Sequence, residues 1–149
     1  MSHETYLGAA LAQARLGLAE GGIPIGAVLV SKAGEILAEG RNRRVQDGSV
    51  IHHAEMNCLE NAGRLPAAVY RGATLYTTLS PCFMCAGAAL LLGIRHVVAG
   101  ENRTVAMGEE FLRSHGVTLE VLDSAECHEV LQAYIRAHPE VWNEDKGDH

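Results

Sequence analysis

Short helical patterns alternate with short strand patterns along this chain, and the alternation limits the folds that it can adopt. Apolar residues at helical spacing predict helices over residues 5–20, 53–63, 82–92, 109–113 and 125–137. Apolar or β-branched runs predict strands over residues 27–30, 35–38, 74–78, 96–100 and 117–122. The order α-β-β-α-β-α-β-α-β-α favours an α/β fold with helices on both faces of a mixed five-stranded sheet.

Serine and proline residues mark where several of these elements should start and stop. Ser80 is predicted to be the N-cap of the third helix, with Pro81 as its first residue, and Ser124 the N-cap of the last helix. His138 and Pro139 should stop that last helix. Because the sequence contains no repeat, linker or low-complexity segment, we expect a single domain over residues 1–149.

Two less regular segments are candidates for a functional site. Residues 41–51 are polar and without periodicity, and at about eleven residues they approach the length at which loops are usually functional. The only tryptophan of the chain, Trp142, lies beyond Pro139 in an acidic tail. We expect Trp142 to belong to an ordered lid that excludes water from a pocket, the alternative being that it docks the tail on the surface or on a partner.

The composition excludes several classes of protein. With 48% hydrophobic and 20% charged residues, the 149-residue chain has the composition of a globular domain. Its apolar stretches fall well short of the roughly 20 residues of a membrane helix, and the first residues lack the features of a secretory signal. A cytoplasmic protein without membrane association is expected. The net charge of −6 makes nucleic acid an unlikely partner, although a local basic groove remains open.

Two short motifs carry the chemistry: His53-Ala54-Glu55, and Cys82 and Cys85 within Pro-Cys-Phe-Met-Cys. Cysteines three residues apart at a helix start can bind one ion, and the helix dipole favours their thiolate forms. With His53 as third ligand, a zinc site keeps one position for water, as catalytic sites do. Glu55 can reach that water without binding the metal. His-x-Glu followed by Pro-Cys-x-x-Cys is the signature of zinc-dependent nucleobase deaminases, with one Zn²⁺ per chain.

Other interpretations of the motifs are weaker. A Cys-x-x-Cys pair can be a redox centre or half of a structural zinc site. Cys58 would be the fourth ligand of such a site, but on a helix it is rotated by about 140° from His53. His52 has the wrong spacing to Glu55 to be the ligand. A zinc-stabilised binding domain without turnover would have no use for the unligated carboxylate of Glu55.

At this point the sequence resembles the zinc-dependent cytidine and cytosine deaminase superfamily, and within it the fungal cytosine deaminases most. The similarity covers almost the whole chain, including Gly21-Gly22-Ile23-Pro24-Ile25-Gly26, residues 60–65, residues 74–82, Gly100-Glu101-Asn102 and Trp142-Asn143-Glu144-Asp145. The resemblance implies a three-layer α/β/α sandwich and a homodimer. It also implies that His53, Cys82 and Cys85 bind zinc and that Glu55 shuttles protons.

The resemblance also implies a set of substrate contacts. Asn42 would hydrogen-bond to the ring, and the backbone of Ala54, Leu79 and Ser80 would contact the base edge and its amino group. Asp145 would help to hold that amino group, and apolar side chains would form the walls of the pocket. The full set is Ile25, Asn42, Ala54, Leu79, Ser80, Val105, Trp142 and Asp145. Val105 stands where the fungal pattern has an aromatic residue.

The implied activity is hydrolytic deamination of a free nucleobase or a similar small amino-heterocycle, with cytosine the first expectation. Phe83 and Ala54 also depart from the fungal pattern, where an acidic residue and a glycine occur. His-Ala-Glu and Cys-Ala-Gly-Ala are equally typical of tRNA adenosine deaminases and bacterial guanine deaminases. A guanine or other heterocycle deaminase and a tRNA adenosine deaminase therefore stay open as alternatives.

Overall fold

Five strands form one mixed sheet in the computed structural model, which describes residues 1–146. The strands are β1 (Gly26–Val30), β2 (Ile36–Arg41), β3 (Thr74–Leu79), β4 (His96–Glu101) and β5 (Thr118–Val121). Their order across the sheet is β2-β1-β3-β4-β5. Strand β1 is antiparallel to β2 and β3, whereas β3, β4 and β5 are parallel. The predicted mixed five-stranded sheet is confirmed.

Helices cover both faces of this sheet. They are α1 (His3–Ala19), α2 (Arg44–Asp47), α3 (Ala54–Ala62), α4 (Ala67–Gly72), α5 (Phe83–Leu92), α6 (Glu109–Ser114), α7 (Ala125–Ala137) and α8 (Pro139–Asp145). Helix α1 crosses β1, β2 and β3 on one face and contacts α7 through Cys127, while α3, α5 and α6 lie on the other face. The α/β/α sandwich expected from the sequence is therefore confirmed.

The strands are apolar on both faces because both are covered. In β1, Ala27 and Leu29 belong to the large core beneath α3 and α5, whereas Val28 and Val30 face α1. Strand β3 alternates in the same way, with Leu75 on the first face and Tyr76 on the second. Period-two alternation thus sends neighbouring side chains into two separate cores.

A glycine in β2 lets helix α3 lie close to the sheet. A Cβ atom on Gly40 would lie 2.3 Å from the backbone nitrogen of Cys58 and 2.9 Å from the carbonyl oxygen of Ala54. No side chain fits there, so the backbones of β2 and α3 meet directly. This contact sets the position of the first turn of α3, which follows His53 and carries Glu55.

The prediction that Ser80 caps the third predicted helix, which is α5 in the structure, is wrong. Helix α5 begins at Phe83, and its N-cap is Cys82, whose Sγ accepts from the backbone N–H of Cys85 at 3.5 Å. Ser80 lies three residues before the first residue of helix α5, and its hydroxyl donates to the Glu109 carboxylate. The cysteine that caps the helix is one of the expected metal ligands.

Short helices account for the other differences from the sequence predictions. Helix α2, which lies inside the polar segment 41–51, and helix α4 were not predicted. Each of these two helices is too short to show periodicity. Helix α1 starts at His3, with Ser2 as its cap. Helix α7 does end before Pro139, but Pro139 also occupies the first turn of α8, where its missing N–H costs nothing.

Within residues 1–146, no helix is both long enough and apolar enough to cross a membrane. The single domain over residues 1–149 stays a prediction, and its last three residues, with the end of the acidic tail, lie outside the described residues.

Candidate active site

The candidate site lies at the edge of the sheet where β2, β3 and β4 end. Because β1 runs antiparallel to its neighbours, its first residue, Gly26, meets Arg41 at this same edge. Helices α3 and α5 both begin there, so His53 and Cys82 stand just before their first turns. The carboxyl ends of parallel strands are where open α/β sheets usually bind ligands.

His53, Cys82 and Cys85 form a cluster of metal-ligating side chains. The Nδ1 atom of His53 lies 3.4 Å from the Sγ of Cys82 and 3.7 Å from the Sγ of Cys85. All three ligand atoms lie within 4.8 Å of one another. A tetrahedral zinc with Zn–S near 2.3 Å and Zn–N near 2.0 Å separates its ligands by about 3.5–3.8 Å. The donor set and its spacing fit zinc with three protein ligands.

Cys58 and His52, the two residues that the spacing of the motifs excludes as ligands, do not reach this cluster. Cys58, on α3, is fully buried and directs its thiol to the carbonyl oxygen of Ala38 at 3.5 Å. His52 places its Nδ1 3.0 Å from Asp47 and its Nε2 2.6 Å from Glu60, so its ring braces α2 against α3. The cluster thus contains the three residues that the spacing of the motifs predicts.

The C-terminal helix α8 brings Asp145 onto the far side of the His53 ring. The Oδ1 atom of Asp145 lies 3.4 Å from His53 Nε2, and the Asp145 side chain is 4% exposed. It also accepts from Asn42 Nδ2 at 3.2 Å and from Arg44 Nη1 at 3.3 Å. A carboxylate on the second nitrogen of a metal-binding histidine fixes the ring and its tautomer.

A small pocket opens beside the cluster. The eight residues named from the sequence as substrate contacts all line it, together with His53, Glu55, Cys82, Met107 and Lys146. Trp142 lines it from α8 and is itself 5% exposed, so the described part of the tail is ordered, as expected.

Four residues near the site were missed by sequence reasoning. Met107 and Lys146 line the pocket, Arg44 binds Asp145, and Glu109 accepts from Ser80, which lines the pocket. Arg44 lies in the polar segment already marked as a candidate, which was its only signal. For the others the sequence offers none, because their relevance depends on tertiary neighbours.

Comparison with known proteins identifies the family of this fold and site. Residues 1–101 match the model of the cytidine and deoxycytidylate deaminase zinc-binding region. A cytosine deaminase of Candida albicans is 47% identical over 139 residues, which cover 93% of each chain. The chain belongs to the cytidine and deoxycytidylate deaminase family. It is a zinc-dependent deaminase, as the resemblance implied.

Other relatives of this deaminase act on different bases. A tRNA-specific adenosine deaminase of Bacillus subtilis is 37% identical over 144 residues, covering 89% of this chain and 88% of the relative. The solved structure of a guanine deaminase from Nitrosomonas europaea has a TM-score of 0.71 and 25% identity, covering 89% of this chain and 84% of that one. The family match therefore leaves the base to be argued from the pocket.

Glu55 has the surroundings of a group that exchanges protons near neutral pH. Its side chain is buried in the first turn of α3 and lines the pocket. Burial, together with the charge of Cys82, raises the pKa of Glu55 to about 7, although His53 opposes the shift. A general acid and base works best when its pKa lies near the working pH.

In the absence of metal, the electrostatics of the cluster prepare Cys82 for ligation, whereas the raised pKa values of His53 and Cys85 mean that these two groups release protons when an ion binds. A hydrogen bond from Cys85 lowers the pKa of the Cys82 thiol to about 4, and His53 adds to this effect against the cost of burial. Burial alone would lower the pKa of His53, but its contacts with Asp145 and Cys82 raise it to about 10 in the absence of metal. Thiolate is the form of cysteine that binds zinc, so Cys82 is already prepared to bind it.

Proposed function

We propose that this deaminase hydrolyses the exocyclic amino group of a free nucleobase, with cytosine as its substrate. The observation that carries the proposal is the contribution of the chain's own helix α8 to the pocket: Trp142 and Asp145 line it together with His53 and Glu55. A pocket walled by the chain's own helix α8 suits a base without a sugar or a flanking strand. The cytosine deaminase relative supports the choice of base.

Each side of the pocket has a proposed role. His53, Cys82 and Cys85 hold the zinc, and Ile25, Val105 and Trp142 provide apolar walls. Asn42, which is fully buried, and the backbone of Ala54 bind the polar ring edge. Leu79, Ser80 and Asp145 stand where the amino group would lie. Asn42 is held in place because its Oδ1 accepts from the backbone N–H of Arg44 at 3.0 Å and its Nδ2 donates to Asp145.

Glu55 moves the protons of the reaction. A zinc ion bound by the cluster supplies a water whose pKa is lowered towards about 7. Glu55 accepts a proton from this water while the oxygen of the water adds to the amino-bearing ring carbon. The carboxyl group then gives this proton to the ring nitrogen. It takes a second proton from the hydroxyl group added at the ring carbon and passes it to the amino group, so that the carbon–nitrogen bond breaks, a carbonyl forms and ammonia leaves. Asn42 and Asp145 keep the ring within reach of this transfer.

Deamination of adenosine in tRNA is the second candidate, favoured by the relative from Bacillus subtilis. It requires a groove that neutralises the phosphates beside a flipped base. The net charge of −6 argues against such a groove, as do the exposed side chains of Glu140 and Glu144 on helix α8. We expect no salt-dependent binding of tRNA in a titration.

An ammonia-release screen tests the proposed substrate. The zinc-loaded protein is assayed with cytosine, 5-substituted cytosines, isocytosine, guanine, adenine, creatinine and cytidine. We expect kcat/KM to be highest for cytosine and very low for cytidine, whose sugar α8 should exclude. A higher kcat/KM for guanine or adenine would show that the substrate is a purine and not cytosine. Efficient turnover of cytidine would show that α8 does not exclude a sugar from the pocket.

We further propose that the enzyme is a cytoplasmic homodimer that serves nucleobase salvage. Its four cysteines are free thiols, which suits a reducing compartment. Helix α5 exposes Phe83 and Leu91, at 65% and 85%, beside an apolar groove lined by Met56 and Leu92. A second copy would cover this face. Sedimentation should give a dimer for the wild type and a monomer for Leu91→Glu, and a monomeric wild type would contradict the proposal.

A further inference from the structure

A buried carboxylate stands behind one wall of the pocket, outside the catalytic cluster. Glu109, the first residue of α6, is 7% exposed. Its Oε2 accepts a hydrogen bond from the Ser80 hydroxyl at 2.6 Å. Its Oε1 accepts from Asn102 Nδ2 and from Arg113 Nη1, both at 3.4 Å. Glu109 therefore joins the segments that follow β3 and β4 to the start of α6.

This arrangement decides what Ser80 can offer to a ligand. Its hydroxyl is donated to Glu109, and its backbone N–H is donated to the carbonyl oxygen of Glu101 at 2.8 Å. Both donors of Ser80 are thus used within the protein. Since Ser80 lines the pocket and has no donor left, it can offer a substrate only hydrogen-bond acceptors, of which its carbonyl oxygen is the one fixed by the backbone. An amino group is the partner that such an acceptor requires.

The residue before Glu109 fixes the same wall. A Cβ atom on Gly108 would lie 2.5 Å from the carbonyl oxygen of Pro81, to which the Gly108 N–H donates at 3.2 Å. The start of α6 is therefore packed against the segment between Ser80 and Cys82. Residues 102–108, which carry Val105 and Met107 to the pocket, end at this contact.

We propose that Glu109 is a positioning residue for the amino group of the substrate, acting through Ser80. By holding the Ser80 hydroxyl away from the pocket, it keeps the Ser80 carbonyl oxygen aligned to accept from the amino group. The inference rests on the proposed function, because it needs an amino-bearing ring in this pocket. Glu109 does not touch the reacting atoms, so its loss should weaken binding of the amino-bearing ring rather than the proton transfers of Glu55.

The test compares five zinc-loaded variants with the wild type, using cytosine as substrate and uracil as a ring without the amino group. Glu109→Ala removes the acceptor, and Ser80→Ala removes the donor of the same bond. The double variant measures whether the two act together. Glu109→Gln keeps an oxygen for Ser80. The matched control is Glu110→Ala, which removes the exposed neighbouring carboxylate.

We expect Glu109→Ala to raise KM for cytosine about tenfold, with a smaller change in kcat. Inhibition by uracil should change by less than about threefold. Ser80→Ala should give a similar rise in KM, and the double variant should be no worse than either single one, since both remove one bond. Glu109→Gln should recover most of the wild-type KM, and Glu110→Ala should match the wild type.

A merely structural role would give a different pattern. If Glu109→Ala unfolds or loses zinc, Ser80→Ala still tests the bond from its other end. An unchanged KM in the folded single variants, an equal loss of cytosine and uracil binding, or additive effects in the double variant would overturn the positioning role. A wild type that deaminates no base overturns the proposed function instead, so the two failures are distinguishable.

Discussion

His53, Cys82 and Cys85 are set apart from the other histidines and cysteines by what surrounds them. Their ligand atoms face one another beside the pocket, whereas Cys58 and Cys127 are buried among apolar side chains. Burial raises the pKa of the Cys58 thiol to about 12, while the pKa of Cys82 is lowered. A buried neutral thiol packs as a small hydrophobic group, and a thiolate binds metal.

Replacement of either cysteine in the cluster should abolish zinc binding. Cys82→Ala and Cys85→Ala each leave two protein ligands, too few to hold the ion firmly. We expect less than a tenth of the wild-type zinc content, roughly, by elemental analysis. Cys58→Ala is the matched control and should keep one zinc per chain. Full zinc content in Cys82→Ala and Cys85→Ala would show that the metal lies elsewhere.

Val105 is the residue through which substrate preference should be adjustable. It is a partly buried wall residue of the pocket, and its side chain is smaller than the aromatic one of the fungal pattern. Val105→Phe should therefore raise the ratio of kcat/KM for cytosine over that for bulkier bases, measured across the ammonia-release screen. A ratio unchanged by the substitution would show that Val105 does not contact the substrate.

The ligand triad and Glu55 could be predicted because their positions depend on local spacing along two helices. Arg44 and Glu109 could not, because a charged residue in a short helix gives no local sign of a partner 101 or 29 residues away. The polar segment 41–51 was recognised as unusual, but its contacts with α8 depend on the tertiary fold.

At the scale of elements, helix α8 lines the site and should be needed for activity. Trp142→Ala removes a buried wall of the pocket, so kcat/KM for cytosine should fall about tenfold or more while zinc content is unchanged. Glu144→Ala, at an exposed position of the same helix, is the control. Removal of residues 140–149 should abolish most activity. A folded, zinc-loaded and fully active truncated protein would exclude both Trp142 and Asp145 from the site.

An ion pair connects the end of α1 to the segment before α2. Glu20 binds Arg41 through two contacts, at 2.9 and 2.7 Å, and Arg43 at 3.3 Å. The hydrogen bond from Arg41 lowers the pKa of Glu20 from 4.5 to about 2. A carboxylate whose pKa is lower in the folded state than in the unfolded state stabilises the fold at pH values above its unfolded pKa. This stabilisation is lost as the pH falls towards 2.

Glu20→Gln should therefore lower the free energy of unfolding at pH 7, measured in urea, by a modest amount because the pair is partly exposed. The difference from the wild type should narrow as the pH falls below 4.5. Glu129→Gln, on the exposed surface of α7, should show no such trend. A pH-independent difference for Glu20→Gln would exclude this titration as its cause.

For the whole molecule, topology explains why distant segments of the chain meet in one pocket. Strands β2, β3 and β4 all end at one edge of the sheet, and α8 returns to that edge after α7. The five strands, the longer helices with α6, and the covered faces of the sheet were predictable from hydrophobic patterns, whereas the short helices α2, α4 and α8 were not. A seven-residue helix is too short to show periodicity. The return of α8 was therefore suggested only by the chain's single tryptophan and by the resemblance.

The most direct test of the central claim is ammonia release from cytosine by wild-type and Glu55→Gln protein of equal zinc content. Glu55→Gln changes the proton carrier and leaves His53, Cys82 and Cys85 in place. We expect the wild type to release ammonia and kcat to fall about 10²–10⁴-fold in the variant, with the same zinc per chain. A zinc-loaded Glu55→Gln protein that works within about threefold of the wild type would contradict the proposed mechanism.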